Sequence, residues 1–121
     1  MGTRLQRSQQ GPLEIELSVT VVQVGDVEFA DFTYNPSSLH AGTGDSVRWK
    51  IKSGGGDKFS VLFSGATPFN QNGFNGGPSD MTARSFRPGV TPGIYKYSVA
   101  MEKGGKLYQD ACPEIRVDDG P

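Results

Sequence analysis

The stretch Ser46-Val47-Arg48-Trp49-Lys50-Ile51-Lys52-Ser53 alternates apolar and charged side chains through its length. A period of two belongs to an extended chain whose successive side chains leave opposite faces. Val47, Trp49 and Ile51 therefore face a core, and Arg48, Lys50 and Lys52 face water. Upstream, Leu13, Ile15, Leu17, Val19 and Val21 alternate with Glu14, Glu16, Ser18 and Thr20, which predicts a second half-buried strand. Gly25-Asp26 breaks it, and Val27, Phe29, Phe32 and Tyr34 form a further apolar stretch that Asn35-Pro36 closes. Downstream, Gly54-Gly55-Gly56-Asp57 reads as a hairpin turn into a partner strand through Phe59, Val61 and Phe63. Residues 64–80 are polar and glycine-rich with no periodicity, and read as the longest loop. Residues 82–87 predict a short strand, 88–92 a turn, and 93–100 one alternating strand through Tyr95, Tyr97 and Val99. A hairpin turns at Lys103-Gly104-Gly105 toward Leu107, and a last strand carries Ile115 and Val117 inward.

Nowhere do ten consecutive residues place apolar side chains at helical spacing, so the class is all-β, a sandwich or barrel. The 17 glycines and 8 prolines, about a fifth of the chain, fit short strands joined by tight corners. At 121 residues one domain buries about two-thirds of the surface of its unfolded chain. That domain is expected over residues 12–118, between a disordered or vector-derived tail at 1–11 and a short tail at 119–121. The formal charge is −1, with 12 basic and 13 acidic residues interspersed, which gives no electrostatic footprint for nucleic acid or an anionic membrane. One cysteine, Cys112, excludes an internal disulfide. The first residues carry basic side chains but no apolar run behind them, so the chain reads as cytoplasmic unless an export signal to the periplasm was removed.

Three stretches together resemble the cupredoxin family, the Greek-key sandwich of plastocyanin, azurin and their relatives. The first runs Phe32-Thr-Tyr-Asn-Pro36-Ser-Ser-Leu39-His-Ala-Gly-Thr-Gly44-Asp45-Ser-Val47-Arg-Trp49; the second is Phe59-Ser-Val61-Leu-Phe63. The third is Thr91-Pro-Gly93-Ile-Tyr95-Lys-Tyr97-Ser-Val99 with the closing Pro113-Glu-Ile115-Arg-Val117. The resemblance implies a cupredoxin-like Greek-key β-sandwich of seven or eight strands whose loops at one end, in active members, hold a type 1 copper ion. Such a site needs two imidazoles, a thiolate and a weak axial thioether. By the family pattern the first His falls at Phe59, the Cys at Val99, the second His at Glu102 and the axial Met near Leu107. None of the four keeps its ligand, and Phe59, Val99 and Leu107 are expected to fill the former metal cavity with ordinary packing. The alternative is an electron-transfer protein with an atypical copper site drawn from His40, Cys112 and Met101.

Other chemistry finds little support. No Gly-x-Ser-x-Gly elbow occurs, Glu14 and Glu16 sit on one outward strand face, and the glycine run at 54–56 lacks the Lys-Ser/Thr and helix of a phosphate loop. A non-enzymatic binding module without a cofactor is the favoured reading, its partner an unknown protein or small ligand, and the protein a monomer or weak dimer. The loop at residues 67–78 is its expected contact surface through Phe69, Asn70, Asn72, Phe74 and Asn75, since amides and glycines on a rigid scaffold give adaptable contacts. The competing expectation is that Phe69 and Phe74 fold back as a lid over the core. Sheet edges invite pairing with another chain, and the lysines of residues 46–53 are expected to resist it there.

Overall fold

The alternation in β1 (Leu13–Val24) and β4 (Ser46–Ile51) sorts their side chains as expected: Ile15, Leu17, Val19, Val47 and Trp49 are buried. The computed structural model describes residues 11–77 and 83–118; the expected tail at 119–121, residues 1–10 of the expected tail at 1–11, and Thr82 lie outside them. The protein is all-β, with no helix and eleven strands among the described residues. β1 and β4 run parallel, Glu14 beside Arg48 and Glu16 beside Lys50, so charges of opposite sign pair on the outer face. Arg48 meets Glu14 directly, and Lys50 lies 3.3 Å from Glu14 and 3.9 Å from Glu16.

Three sheets assemble from these strands. The first has the order β2 (Val27–Asn35), β1, β4 and β7 (Arg84–Ser85). The second is β10 (Lys106–Asp110), β9 (Ser98–Lys103), β5 (Lys58–Leu62) and β6 (Gly73–Gly76). The third is β3 (Ser38–Gly42), β11 (Glu114–Asp118) and β8 (Gly93–Lys96), with β11 parallel to β3. The core gathers the inward faces of all three.

Four expectations are corrected. The turn at residues 54–57 does not close a hairpin: β4 and β5 lie in different sheets, and the glycines carry the chain between them. Gly55 accepts a hydrogen bond from Val19 N–H at 2.9 Å, and a Cβ on it would stand 2.6 Å from that of Ser18. Close backbone approach, not a reversal within one sheet, is what the glycine serves. The alternating run at 93–100 is two strands in two sheets, β8 and β9, parted at Tyr97, whose N–H bonds to Pro113 C=O. The long loop contains β6, which pairs with β5 from Phe59–Gly76 to Leu62–Gly73. The lysine-bearing strand is also no edge, because β4 is held between β1 and β7. These splits, with β3 beyond the cis Asn35–Pro36 bond, raise the count above the expected seven or eight.

Candidate functional site

The loop after β5 is held from within. Thr67 Oγ1 donates to Gln71 C=O at 3.0 Å and accepts from Phe69 N–H at 3.2 Å, Phe63 N–H bonds to Asn72 C=O at 2.7 Å, and Arg87 N–H to Pro68 C=O at 2.9 Å. This lacing turns both rings inward, leaving Phe69 2% and Phe74 7% exposed. Phe69 is a hub, with ring centroids 5.7 Å from Trp49, 5.7 Å from Phe63, 5.2 Å from Phe74 and 5.3 Å from Phe86. The lid expectation therefore describes both phenylalanines. Asn70, Asn72 and Asn75 stay exposed, so the polar half of the expected contact set remains on the surface. Pro78 lies outside the described residues.

Of the positions that the family pattern assigns to copper, Phe59 and Val99 are core residues on neighbouring strands, where Phe59 pairs with Met101 and Val61 with Val99. Neither side chain has a lone pair to donate. Leu107 corrects its expectation: it is 65% exposed and fills no cavity. β9 continues straight to Lys103, and the hairpin returns Leu107 beside Glu102 on the outer face. The donor set does not fit a blue copper ion.

The alternative ligands are not brought together. His40 on β3 faces solvent beside Arg116 of β11, and Cys112 lies four residues before Arg116, about 13 Å along an extended chain. Cys112 is exposed, whereas Met101 is fully buried in a different sheet. No group of three His, Cys, Asp or Glu side chains among the described residues is arranged to hold a metal ion.

What the structure adds is a hollow on the outer face of the second sheet. Cross-strand register lines up Asn75, Ser60, Ala100 and Gln109 in one row, with Leu62 and Ser98 in the row beside it. Small side chains in the middle of a sheet face leave a depression between larger ones. Here it measures about 560 Å³ and is floored by Ser60, Ser98 and Ala100, with Leu62, Gln109 and Asp110 around it. A smaller recess of about 190 Å³ continues it past Ala100 toward Lys58, Glu102 and Leu107. Ser60 Oγ donates to Asn75 Oδ1 at 2.7 Å, which fixes one amide at the rim. Asp110 is oriented from behind by the Tyr34 hydroxyl, 2.7 Å from its Oδ2. Burial, then that hydrogen bond to a carboxylate, push the Tyr34 phenol far above its ordinary ionisation range.

The hollow combines aliphatic walls with hydroxyl and amide groups, a lining suited to a small ligand with apolar and polar parts. Single-sequence reading missed it because Ser60, Ser98 and Ala100 are unremarkable outward residues of three separate segments. Its one sequence signal is small residues at outward positions of predicted strands. Compared with known proteins, the chain matches no protein-family model and no curated protein.

Proposed function

We propose that this chain is a non-enzymatic, cupredoxin-like binding module without a blue copper site, its ligand a small molecule or protein segment seated in the hollow at Ser60, Ser98 and Ala100. The observation that carries the reading is the hydrocarbon register between β5 and β9, where Phe59 and Val99 occupy the positions at which the family pattern puts imidazole and thiolate. Two features support the Greek-key part. Strands adjacent in a sheet but remote in sequence, β1 with β4 and β5 with β9, require crossings between layers. The Tyr95 hydroxyl donates to Thr91 C=O four residues upstream, the geometry of a tyrosine corner.

Copper titration tests the metal half. Cu(II) added to the pure protein is expected to give no intense visible band; a thiolate charge-transfer band that vanishes in Cys112→Ser overturns the reading. The binding half is tested by a small-fragment screen read by amide chemical shifts. Hits are expected to move Ser60, Ser98, Ala100 and Gln109 together and to lose their effect in Ala100→Trp. A screen whose hits all map elsewhere removes the hollow as the site.

A further inference from the structure

The first sheet ends on β2, whose outer backbone edge pairs with no described strand, although side chains of β10 bond to its inward-facing residues, Lys106 and Tyr108 to Glu28 and Asp110 to Tyr34. β2 is nine residues long, and its register with β1 runs without interruption from Glu16–Asn35 to Val24–Val27, so no bulge bends it. It contains neither lysine nor proline, two devices that normally blunt a free edge.

Which backbone groups face that edge follows from the ladder. Leu17 C=O and Val19 N–H bond toward residues 52 and 55, on the β4 side of β1. Main-chain groups alternate sides along a strand, so residues 18, 20, 22 and 24 bond to β2 through 33, 31, 29 and 27. The N–H and C=O groups of Glu28, Ala30, Phe32 and Tyr34 therefore point away from β1, and no described strand pairs with them. The type II′ turn fits this register, with Gly25 at φ 62° in its first central position.

The side chains beside this edge define what suits it. Val22, Val24, Val27 and Phe29 project from the outward face of the ribbon, each between 43% and 61% exposed. From Leu13 to Val47 the chain has no lysine or arginine, and the ribbon bears Asp26, Asp31 and Glu28, the last paired with Lys106 of β10 at 3.3 Å. A second copy of β2 would bring the same acidic charge against it. A strand of opposite charge would not.

We propose that β2 is a docking edge for an extended, basic peptide segment of a partner protein, with apolar and cationic side chains in alternation, added as a fifth strand to the first sheet. Main-chain bonds to Glu28, Ala30, Phe32 and Tyr34 supply the pairing, and apolar contacts with Val27 and Phe29 and attraction by Asp31 supply selectivity. The surface adjoins the hollow on the second sheet through Tyr34, which bonds to Asp110, and exchange at the four β2 amides distinguishes the two readings.

The test is a capped nine-residue peptide alternating valine and lysine, titrated into the full-length protein at low salt. Binding is expected to slow hydrogen exchange at the amides of Glu28, Ala30, Phe32 and Tyr34, and to weaken as salt rises. Methylating alternate backbone nitrogens of the peptide, which leaves the protein untouched, is expected to weaken binding at least about tenfold. Ala30→Pro removes only an outward N–H and is expected to do the same while the fold persists. Equal binding of a valine–glutamate peptide, unchanged exchange at those four amides, or indifference to methylation overturns the proposal. So does a dimer of the protein alone that Ala30→Pro abolishes, which would assign the edge to a second copy.

Discussion

The indole N–H of Trp49 donates to the hydroxyl of Tyr97 at 3.3 Å, joining the strand at the centre of the first sheet to the residue where the chain passes between the third and second sheets. Their rings meet edge to face, 5.7 Å apart at 83°. Tyr97→Phe keeps the ring contact but strips the indole of this acceptor in a dry place. The expected loss is about 1–2 kcal/mol in urea unfolding, with the far-ultraviolet spectrum unchanged.

The same phenol makes stability depend on alkali. Burial holds the Tyr97 ionisation well above the ordinary range, against a smaller opposing pull from the Trp49 N–H. In the unfolded chain it ionises near pH 10, so above that pH the unfolded state binds fewer protons than the folded one. The stabilisation is full below about pH 10 and declines above it by up to about 1.4 kcal/mol per pH unit for this group. Denaturation series at about pH 9 and about pH 11 are expected to diverge in the native protein and less in Tyr97→Phe. Parallel slopes would refute the assignment.

At the acid end the sign reverses. The bond from Arg48, foremost among its causes, holds the Glu14 carboxyl below its ordinary value of 4.5. A depressed carboxylate stabilises above the unfolded value, and its share is lost as pH falls through the folded one. Because Glu14 is more than a third exposed, Glu14→Gln is expected to cost under about 1 kcal/mol at neutral pH and to flatten the acid limb of the stability curve.

Phe69→Ala should be the costliest single change in the loop. Truncating a ring packed among four other aromatic rings leaves a cavity, for a loss of about 3–5 kcal/mol. Asn70→Ala and Asn72→Ala, on the surface of the same loop, are expected to stay within about 0.5 kcal/mol of the native protein. Thermal melts of the three variants check both halves.

Two glycines give a matched pair. Gly55→Ala would force a Cβ to 2.6 Å from Ser18 Cβ and 2.9 Å from the Lys52 carbonyl, and is expected to lose about 1–3 kcal/mol. Gly44 has open space around it and an ordinary φ, so Gly44→Ala is expected to be neutral or to gain up to about 1 kcal/mol.

Alternation along β1 and β4 was legible because each has one wet and one dry face along its paired length. Periodicity is silent on partners, however: Gly54-Gly55-Gly56-Asp57 has the chemistry of a hairpin turn, and only packing against Ser18 and Met101 shows it spanning two layers. The split at Tyr97 was hidden for a related reason, since inward and outward residues keep alternating while the chain changes sheets. Phe69 and Phe74 sit in a stretch with no period, so their burial rests on backbone bonds through Thr67 and Asn72 that no local pattern announces. Leu107 was misplaced because its expected position rested on a resemblance in spacing, whereas the hairpin of β9 and β10 sets it opposite Glu102 on the outer face.

The position of β11 has a bearing on biosynthesis. It follows every other strand in chain order, yet it is the middle member of its sheet, with β3 on one side and β8 on the other. Until it has been made, those two flanks lack their shared partner, and their backbones stay available to strangers in a crowded cell. Closure of that layer is therefore expected to come after the other two, when the last of these strands inserts between two made before it.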